Sequence, residues 1–320
     1  MNRAPTFIEL RRDVIQATVH VQAERRARHF GLGSKVDELG IRLAFTGYLL
    51  GVMAGDAAKR KVSSRPKMFI ELQLTKRHPD NFRFGDFVCL CGNAIGIRFN
   101  RIKDGFVSPR VPYGRFHWKS ENSELVYRLF TRYLGLKVGE LTTWNPVVLD
   151  WILRAPKYFR ICFLQGLAGS DGYVHFENQQ VHLIVSPNAE LVARILDSLG
   201  IRFSSTQSKG LDIIKISVND AVRLPIFNPH VKSYRFDFVQ QMASAKRLRR
   251  GRWPGWLASR VEDLAQGSLT TREIMMRILE EYNLLIRASS IRRHARTVAS
   301  KPLSADKGIN RLFGRGLMGP

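Results

Sequence analysis

The chain has 320 residues, and its 51 lysines and arginines against 27 aspartates and glutamates give a formal net charge of +24. So large a charge predicts a polyanionic partner, most often nucleic acid, because too few acidic side chains are present to pair with the cations. Three cysteines are too few for a disulfide scaffold, and the sequence lacks an apolar signal-peptide core and an apolar run of membrane-spanning length. These absences predict no membrane segment and an intracellular location, in the cytoplasm, associated with the nucleoid, or in another reducing compartment.

Hydrophobic patterning divides the first 245 residues into a short N-terminal segment and two similar units. Residues 1–40 are basic and predicted to be helical. Residues 41–145 contain an apolar helix, "GYLLGVMAGDA", then the strand "KMFIELQLTK", two further strands and a helix over 120–135. The pattern restarts over 146–245 with the apolar helix "ICFLQGLAGSDGYV", followed by strand, helix and strand. The order predicts an α+β protein with a duplicated unit.

The composition changes near residue 246, where "AKRLRRGRWPG" begins a basic region, 246–320. Three helices are predicted there, over 255–266, 271–282 and 289–298. Thr270 and Glu273 have the T-x-x-E spacing of a capping box, which predicts where the middle helix begins.

Each apolar helix of the duplicated unit ends in small residues and one carboxylate, Asp56 in the first helix and Asp171 in the second. Small residues allow helix backbones to approach closely, so helices packed side by side would bring the two carboxylates together. Adjacent carboxylates repel unless a cation lies between them, and oxygen ligands suit Mg²⁺ or Mn²⁺. Such metals can activate water and stabilise the leaving oxygen of a phosphodiester. The small residues predicted at the helix contact are Gly51, Gly55, Gly166 and Gly169.

"LLGVMAGDA" (49–57) and "LQGLAGSDG" (164–172) resemble the two LAGLIDADG motifs of single-chain homing endonucleases, although Ala57 replaces the final glycine of the first. The resemblance covers about residues 41–245. It implies two pseudo-symmetric αββαββα halves, with the motif helices at their interface and the sheets forming a saddle over the DNA major groove. It also implies that Asp56 and Asp171 bind catalytic metals, with the carbonyls of Gly55 and Ser170 helping.

Further basic residues are candidates through the resemblance or through strand alternation. The family keeps a lysine near the end of the last strand of a half, close to the scissile phosphate, and Lys119 and Lys215 are the positional matches. Side chains on one sheet face can contact bases and phosphates. The candidates in and around the first sheet are Arg60, Lys61, Lys67, Lys76, Arg77, Arg98, Arg101, Lys103 and Arg115.

The stretch "LTTREIMMRILEEYNLLIRASSIRRHART" (269–297) resembles a helix-turn-helix. In such modules one helix enters the major groove. The residues that the third helix would present are Ser289, Ser290, Arg292, Arg293 and Arg296. The alternative is a basic helical bundle that only packs against the rest of the chain.

Together these features favour a site-specific, double-strand DNA endonuclease that acts as a monomer and hydrolyses phosphodiesters with Mg²⁺ or Mn²⁺. Two alternatives remain open. One is a DNA-binding transcriptional regulator that uses a retired homing-endonuclease fold and does not cut. The other is an intron RNA-binding maturase, because a basic surface does not by itself distinguish RNA from DNA.

Overall fold

The computed structural model is an α+β structure, which confirms the predicted fold class. It describes residues 5–15, 37–55, 68–76, 78–102, 114–135, 150–185, 188–248, 253–267 and 269–298. Six candidate residues lie outside these ranges, namely Asp56, Arg60, Lys61, Lys67, Arg77 and Lys103. The backbone of Arg296 is described, but its side chain is not among the described parts of the chain. Among the described helices, none combines the length and the apolar character needed to cross a membrane.

A short N-terminal helix, α1 (Phe7–Ile15), precedes the first half. The elements of the first half are α2 (Glu38–Ala54), β1 (Glu71–Thr75), α3 (Pro79–Asn93), β2 (Phe99–Ile102), β3 (Arg115–Ser120) and α4 (Glu124–Arg128). Helix α4 continues as a π-helical turn over Leu129–Tyr133. Helix α2 begins after Asp37, whose Oδ1 accepts a hydrogen bond from the Gly40 amide at 2.7 Å. It ends at Gly55, whose amide donates to the carbonyls of Gly51 and Val52.

The helix predicted over 120–135 begins later than expected. Ser120 is the last residue of β3, and its Oγ accepts a hydrogen bond from the Ile70 amide at 2.8 Å. Helix α4 starts after Ser123 instead. The reason is that Ser120 is buried and pairs with Phe99 across the sheet, so it serves the strand and not a helix end.

Helix α1 packs against both halves, through apolar contacts and through hydrogen bonds to a carboxylate. Leu10 and Val14 are fully buried, and the ring of Phe7 lies 5.2 Å from that of Phe159. Asp13 accepts hydrogen bonds from the Tyr133 hydroxyl at 2.7 Å and from Arg128 at 3.1 Å. This part of the N-terminal segment is therefore attached to the core.

The second half has the element order αββαββα. After a 3-10 turn over Asp150–Arg154 come α5 (Lys157–Asp171), β4 (Gly172–His175), β5 (Gln180–Ile184), α6 (Ala189–Ser198), β6 (Phe203–Ser208), β7 (Leu211–Ser217) and α7 (Val218–Arg223). Helix α5 and strand β4 are continuous, so the chain turns from helix to strand directly after Asp171.

Each half has its own antiparallel sheet. The described strands of the first have the order β1-β3-β2, and those of the second have the order β4-β5-β7-β6. One face of the first sheet packs on α3, where Gly85 makes room for the ring of Trp118. We call the opposite face of the first sheet, and the face of the second sheet that carries Lys215, the outer face. It carries Gln73 and Lys119 in the first sheet and His182 and Lys215 in the second.

Helix α8 (Ser233–Ser244) ends the second half. The C-terminal region adds β8 (Lys246–Arg247), α9 (Gly255–Gln266), α10 (Thr271–Tyr282), β9 (Leu284–Leu285) and α11 (Ala288–Val298). The three helices predicted beyond residue 246 are confirmed. The capping box is confirmed too, because the Thr270 hydroxyl accepts from the Glu273 amide at 3.2 Å while the Glu273 carboxylate accepts from the Thr270 amide at 2.8 Å. Strand β8 pairs in parallel with β9 and so joins the end of α8 to the three-helix module.

Candidate functional site

Helices α2 and α5 cross in direct backbone contact. A methyl group built on Gly51 would lie 2.0 Å from the Phe163 carbonyl oxygen, and one on Gly166 would lie 2.0 Å from the Tyr48 carbonyl oxygen. Packed carbon and oxygen atoms do not approach this closely. Both positions therefore require glycine, and the backbones touch because no side chain separates them.

The crossing brings the ends of the two helices together. A methyl group built on Gly55 would lie 2.8 Å from Asp171 Oδ2 and 2.7 Å from Ser170 Cβ. Asp171 is the last residue of α5 and is half-buried, and the Ser170 hydroxyl donates to the Gly166 carbonyl at 3.0 Å. The carboxylate of the second motif thus lies against the last turn of the first motif helix.

The electrostatics of this meeting point favour a cation. Both helices present their C-terminal ends there, and each end carries a partial negative charge to which Asp171 adds a full one. A carboxylate oxygen and helix-end carbonyls are hard donors of the kind that Mg²⁺ takes. Within the described ranges no group of three or more His, Cys, Asp or Glu residues forms a metal site, so a metal at this point needs a further ligand.

Two buried residues contact the C-terminal end of α5. Arg235 donates to the carbonyl oxygen of Gly172, the residue after Asp171, at 2.6 Å. The Tyr48 side chain is only 2% exposed and lies beside Gly169, where a methyl group would be 3.1 Å from its hydroxyl oxygen. Burial raises the pKa of Tyr48 well above its usual value, helped by the thiols of Cys91 and Cys162 and opposed by Arg235. The phenol, which is neutral at physiological pH in any case, therefore stays neutral to higher pH than an ordinary tyrosine.

The two candidate lysines lie on outer faces. Lys119 pairs with Glu71 and Asn100 in the first sheet, and its Nζ lies 4.2 Å from the ring centroid of Phe69. Lys215 pairs with His182, which in turn pairs with Tyr173. Strands lie about 4.8 Å apart, so Lys215 on β7 lies two strands, or roughly 10 Å, from Tyr173 on β4. Tyr173 follows Gly172 directly in the chain.

The four described basic candidates of the first sheet divide between its two faces. Arg115 lies on the outer face and donates to Gln73 Oε1 at 3.0 Å, and Arg98 is exposed just before β2. The Arg101 guanidinium lies 4.8 Å from the ring centroid of Phe82, on the face shared with Trp118. Lys76 Nζ similarly lies 5.5 Å from the ring centroid of Phe116. Arg101 and Lys76 therefore pack on the face opposite to Lys119.

Polar residues that the sequence reasoning did not single out occupy the same outer face of the first sheet. Glu71 is 4% exposed, and its Oε1 lies 2.8 Å from His117 Nε2 and accepts from Gln73 Nε2 at 3.1 Å. The alternation of "ELQLT" predicts that Glu71 and Gln73 share a face, which is the signal that could have found them.

The outer face of the second sheet carries a second polar cluster. His182 is 4% exposed, and its two ring nitrogens lie 3.1 Å from the Tyr173 hydroxyl and 3.2 Å from Gln180 Oε1. Burial, with smaller effects of His175 and Lys215, lowers the pKa of His182 to about 4. The pKa of His175 is lowered too, chiefly by burial. This face is therefore polar but largely uncharged at neutral pH, apart from Lys215.

Helix α11 exposes most of the residues predicted for DNA contact. Ser289, Arg292 and Arg293 are exposed, and Ser290 is half-buried. Arg292 Nη2 lies 3.6 Å from the carboxylate of Glu177, in the turn between β4 and β5. The three-helix module thus lies beside the second sheet.

Comparisons with known proteins give low similarities. No protein-family model matches the chain, and no curated protein matches it. The fold is similar to that of mesophilic variants of the homing endonuclease I-DmoI, at 18% identity and a TM-score of 0.41, over 61% of this chain and 98% of that one. It is also similar to the homing endonuclease I-WcaI bound to its DNA recognition sequence, at 11% identity and a TM-score of 0.42, over 70% and 97% of the two chains.

Full-length DUF199/WhiA from Thermatoga maritima is similar over 86% of this chain and 95% of that one, at 12% identity and a TM-score of 0.42.

Proposed function

We propose that this protein is a site-specific DNA endonuclease that hydrolyses phosphodiesters where α2 and α5 end. The observation that carries the proposal is the contact between the Asp171 carboxylate and Gly55. Asp56 follows Gly55 directly, so its Cα is about 3.8 Å from that of Gly55 across a trans peptide bond. A second carboxylate-bearing residue is thereby linked covalently to the residue that Asp171 contacts. The formal net charge of +24 supports DNA as the substrate.

In this proposal the chain supplies ligands, orientation and charge. Asp56 and Asp171 would hold Mg²⁺ or Mn²⁺, and the carbonyls of Gly55 and Ser170 would add oxygen ligands. Bound divalent metal would supply activation of water and stabilisation of the leaving oxygen. Lys119 and Lys215 approach the phosphates beside the scissile bond, and the outer faces bind the duplex. The residues retained for DNA contact on the first sheet are Arg98 and Arg115, because Arg101 and Lys76 face the other way.

The proposed organisation is two pseudo-symmetric LAGLIDADG-like halves, 41–145 and 146–245, that form a saddle over the major groove. In support, β3 lies between β1 and β2 as β7 lies between β5 and β6. Residues 1–40 precede the halves, and 246–320 comprise a helix-turn-helix-like domain and a tail. The third helix of that domain adds Ser289, Ser290, Arg292, Arg293 and Arg296 to the DNA contacts. The protein acts as a monomer, because one chain carries both acids.

A cleavage assay tests this function. Purified protein is incubated with a randomised duplex library in Mg²⁺, beside Asp171→Asn, Asp56→Asn and an EDTA control. We expect cuts at a recurring sequence that either substitution reduces by at least 100-fold. The matched control is Asp150→Asn, which removes an exposed carboxylate paired with Arg194 at 2.7 Å and should leave cutting unchanged. Cutting that survives both motif substitutions would contradict the proposed site.

The second candidate is a DNA-binding regulator that does not cut. The C-terminal module favours it, because this module has a formed capping box and an exposed Arg293. Binding of DNA by this module would not need the acidic residue at the ends of α2 and α5. In the same assay this candidate predicts that one duplex sequence is bound and enriched without Mg²⁺-dependent cuts. It also predicts that Asp171→Asn binds as tightly as the natural chain.

A further inference from the structure

The end of α5 concentrates negative charge in a partly buried place. The C-terminal ends of α2 and α5 meet there, each equivalent to about half a negative charge, and Asp171 adds its carboxylate. Negative charges held close together disfavour each other, so a cation near the two helix ends stabilises the ionised Asp171 even before any metal is bound.

Arg235 places a cation directly behind this end. Its side chain is among the buried polar groups at 7% exposure, and its Nη1 donates to the Gly172 carbonyl at 2.6 Å. Gly172 is the C-terminal cap of α5 and the residue next to Asp171. A buried guanidinium is costly unless it is close to negative charge, and the helix end provides that charge.

The position of Arg235 is set by the other half of the molecule. Asp80, buried at the start of α3, accepts from the Tyr234 and Arg235 amides at 3.3 Å each, so it caps the first turn of α8. Next to them, the ammonium of the buried Lys232 donates to Asn81 Oδ1 at 3.2 Å. Helix α8 is thereby held to α3 of the first half while its arginine reaches α5 of the second.

We propose that Arg235 is a positioning residue that acts as the fixed counter-charge of the acid-bearing end of α5. It holds the turn at Gly172 and offsets the charge of Asp171, so that the carboxylate stays against Gly55 in the free protein. The inference rests on the proposed function for the role of Asp171. It assigns to α8 a task in the site, although α8 lies outside both motif helices.

The test is a mutant cycle read by thermal unfolding, without DNA or added metal. Arg235→Gln keeps a donor for the Gly172 carbonyl but loses the charge, and Arg235→Lys keeps the charge. We expect Arg235→Gln to have the lower Tm by roughly 3–8 °C, the scale of a lost buried interaction in a protein of this size. In the Asp171→Asn background that gap should shrink to less than half. The matched control, Arg194→Gln at an exposed ion pair, should lose the same Tm in both backgrounds.

A gap between the Gln and Lys variants that is equal in both backgrounds would overturn the proposal, because Arg235 would then act only through packing. If Arg235→Gln does not fold in the natural background, folding of the Asp171→Asn, Arg235→Gln double variant supports the proposal, and its failure to fold overturns it. The cycle is independent of the cleavage assay. A cutting enzyme with no coupling loses only this inference, and a coupled pair in a protein that never cuts loses only the nuclease function.

Discussion

Gly51 and Gly166 are the residues that let α2 and α5 cross in backbone contact. Each faces a carbonyl oxygen of the opposite helix, at Phe163 and Tyr48, with no space for a β-carbon. The contact between Gly55 and Asp171 depends on this crossing, because the two residues lie one turn further along the same helices. The small residues are therefore requirements of the site as well as of the packing.

Replacing Gly166 by alanine should destabilise the protein, because its methyl group would lie 2.0 Å from the Tyr48 carbonyl and force the helices apart. We expect the free energy of unfolding to fall by roughly 1–3 kcal/mol, the usual cost of overpacking a core. Chemical denaturation followed by circular dichroism measures it. In the control Gly255→Ala, the new methyl group meets no heavy atom within 4 Å, so stability should stay level or rise. Equal stabilities of the two variants would show that the helices separate without cost.

At the level of elements, local patterns predicted most of what is observed. The capping box at Thr270 and the alternation of β1 are short-range signals, and both elements are present. Hydrophobic patterning did not predict helix α3, because "PDNFRFGDFVCLCGN" holds two glycines and few strong helix formers. The αββαββα order implied by the resemblance does include a helix at this place. Local patterns do not predict the contacts of Arg235, because its partners are distant in sequence. Arg235 is 63 residues from Gly172 and 155 residues from Asp80.

The second sheet should make stability depend on pH through His182. Its pKa is lowered to about 4 in the folded protein, mainly by burial, whereas an unfolded histidine titrates near 6.5. Below about pH 6.5 the unfolded chain therefore binds the proton more readily, and stability falls as the pH drops from about 6.5 toward 4. Thermal unfolding between pH 7 and pH 5 should show a smaller loss of Tm in His182→Gln than in the natural chain. The exposed His230, changed to Gln, serves as control and should leave the loss unchanged. If the His182→Gln and natural curves fall in parallel, the ring does not titrate in this way.

At the level of the whole molecule, positive charge is distributed unevenly over the described surfaces. The outer face of the first sheet carries Arg115 and Lys119 beside the buried carboxylate of Glu71. The outer face of the second has the neutral rings of His175 and His182 around Lys215. Phosphate contacts supply affinity that depends on salt, and neutral polar groups read base edges without releasing counterions. If the outer faces bind DNA as proposed, the first half should contribute more of the electrostatic binding, and the second half more of the discrimination between sequences.

Salt dependence of binding distinguishes the two faces of the first sheet. If Arg115 contacts a phosphate, Arg115→Gln should weaken binding to a non-specific duplex and make the slope of log K against log salt shallower by about 1. Arg101→Gln is the matched control, because it removes the same charge from the same sheet but on the face that packs against Phe82. Its slope should equal that of the natural chain once its Tm shows that it is folded. Fluorescence anisotropy over a series of salt concentrations gives both slopes. If only the outer face contacts DNA, the two variants must have different slopes. Equal changes of slope would therefore mean that binding follows net charge alone.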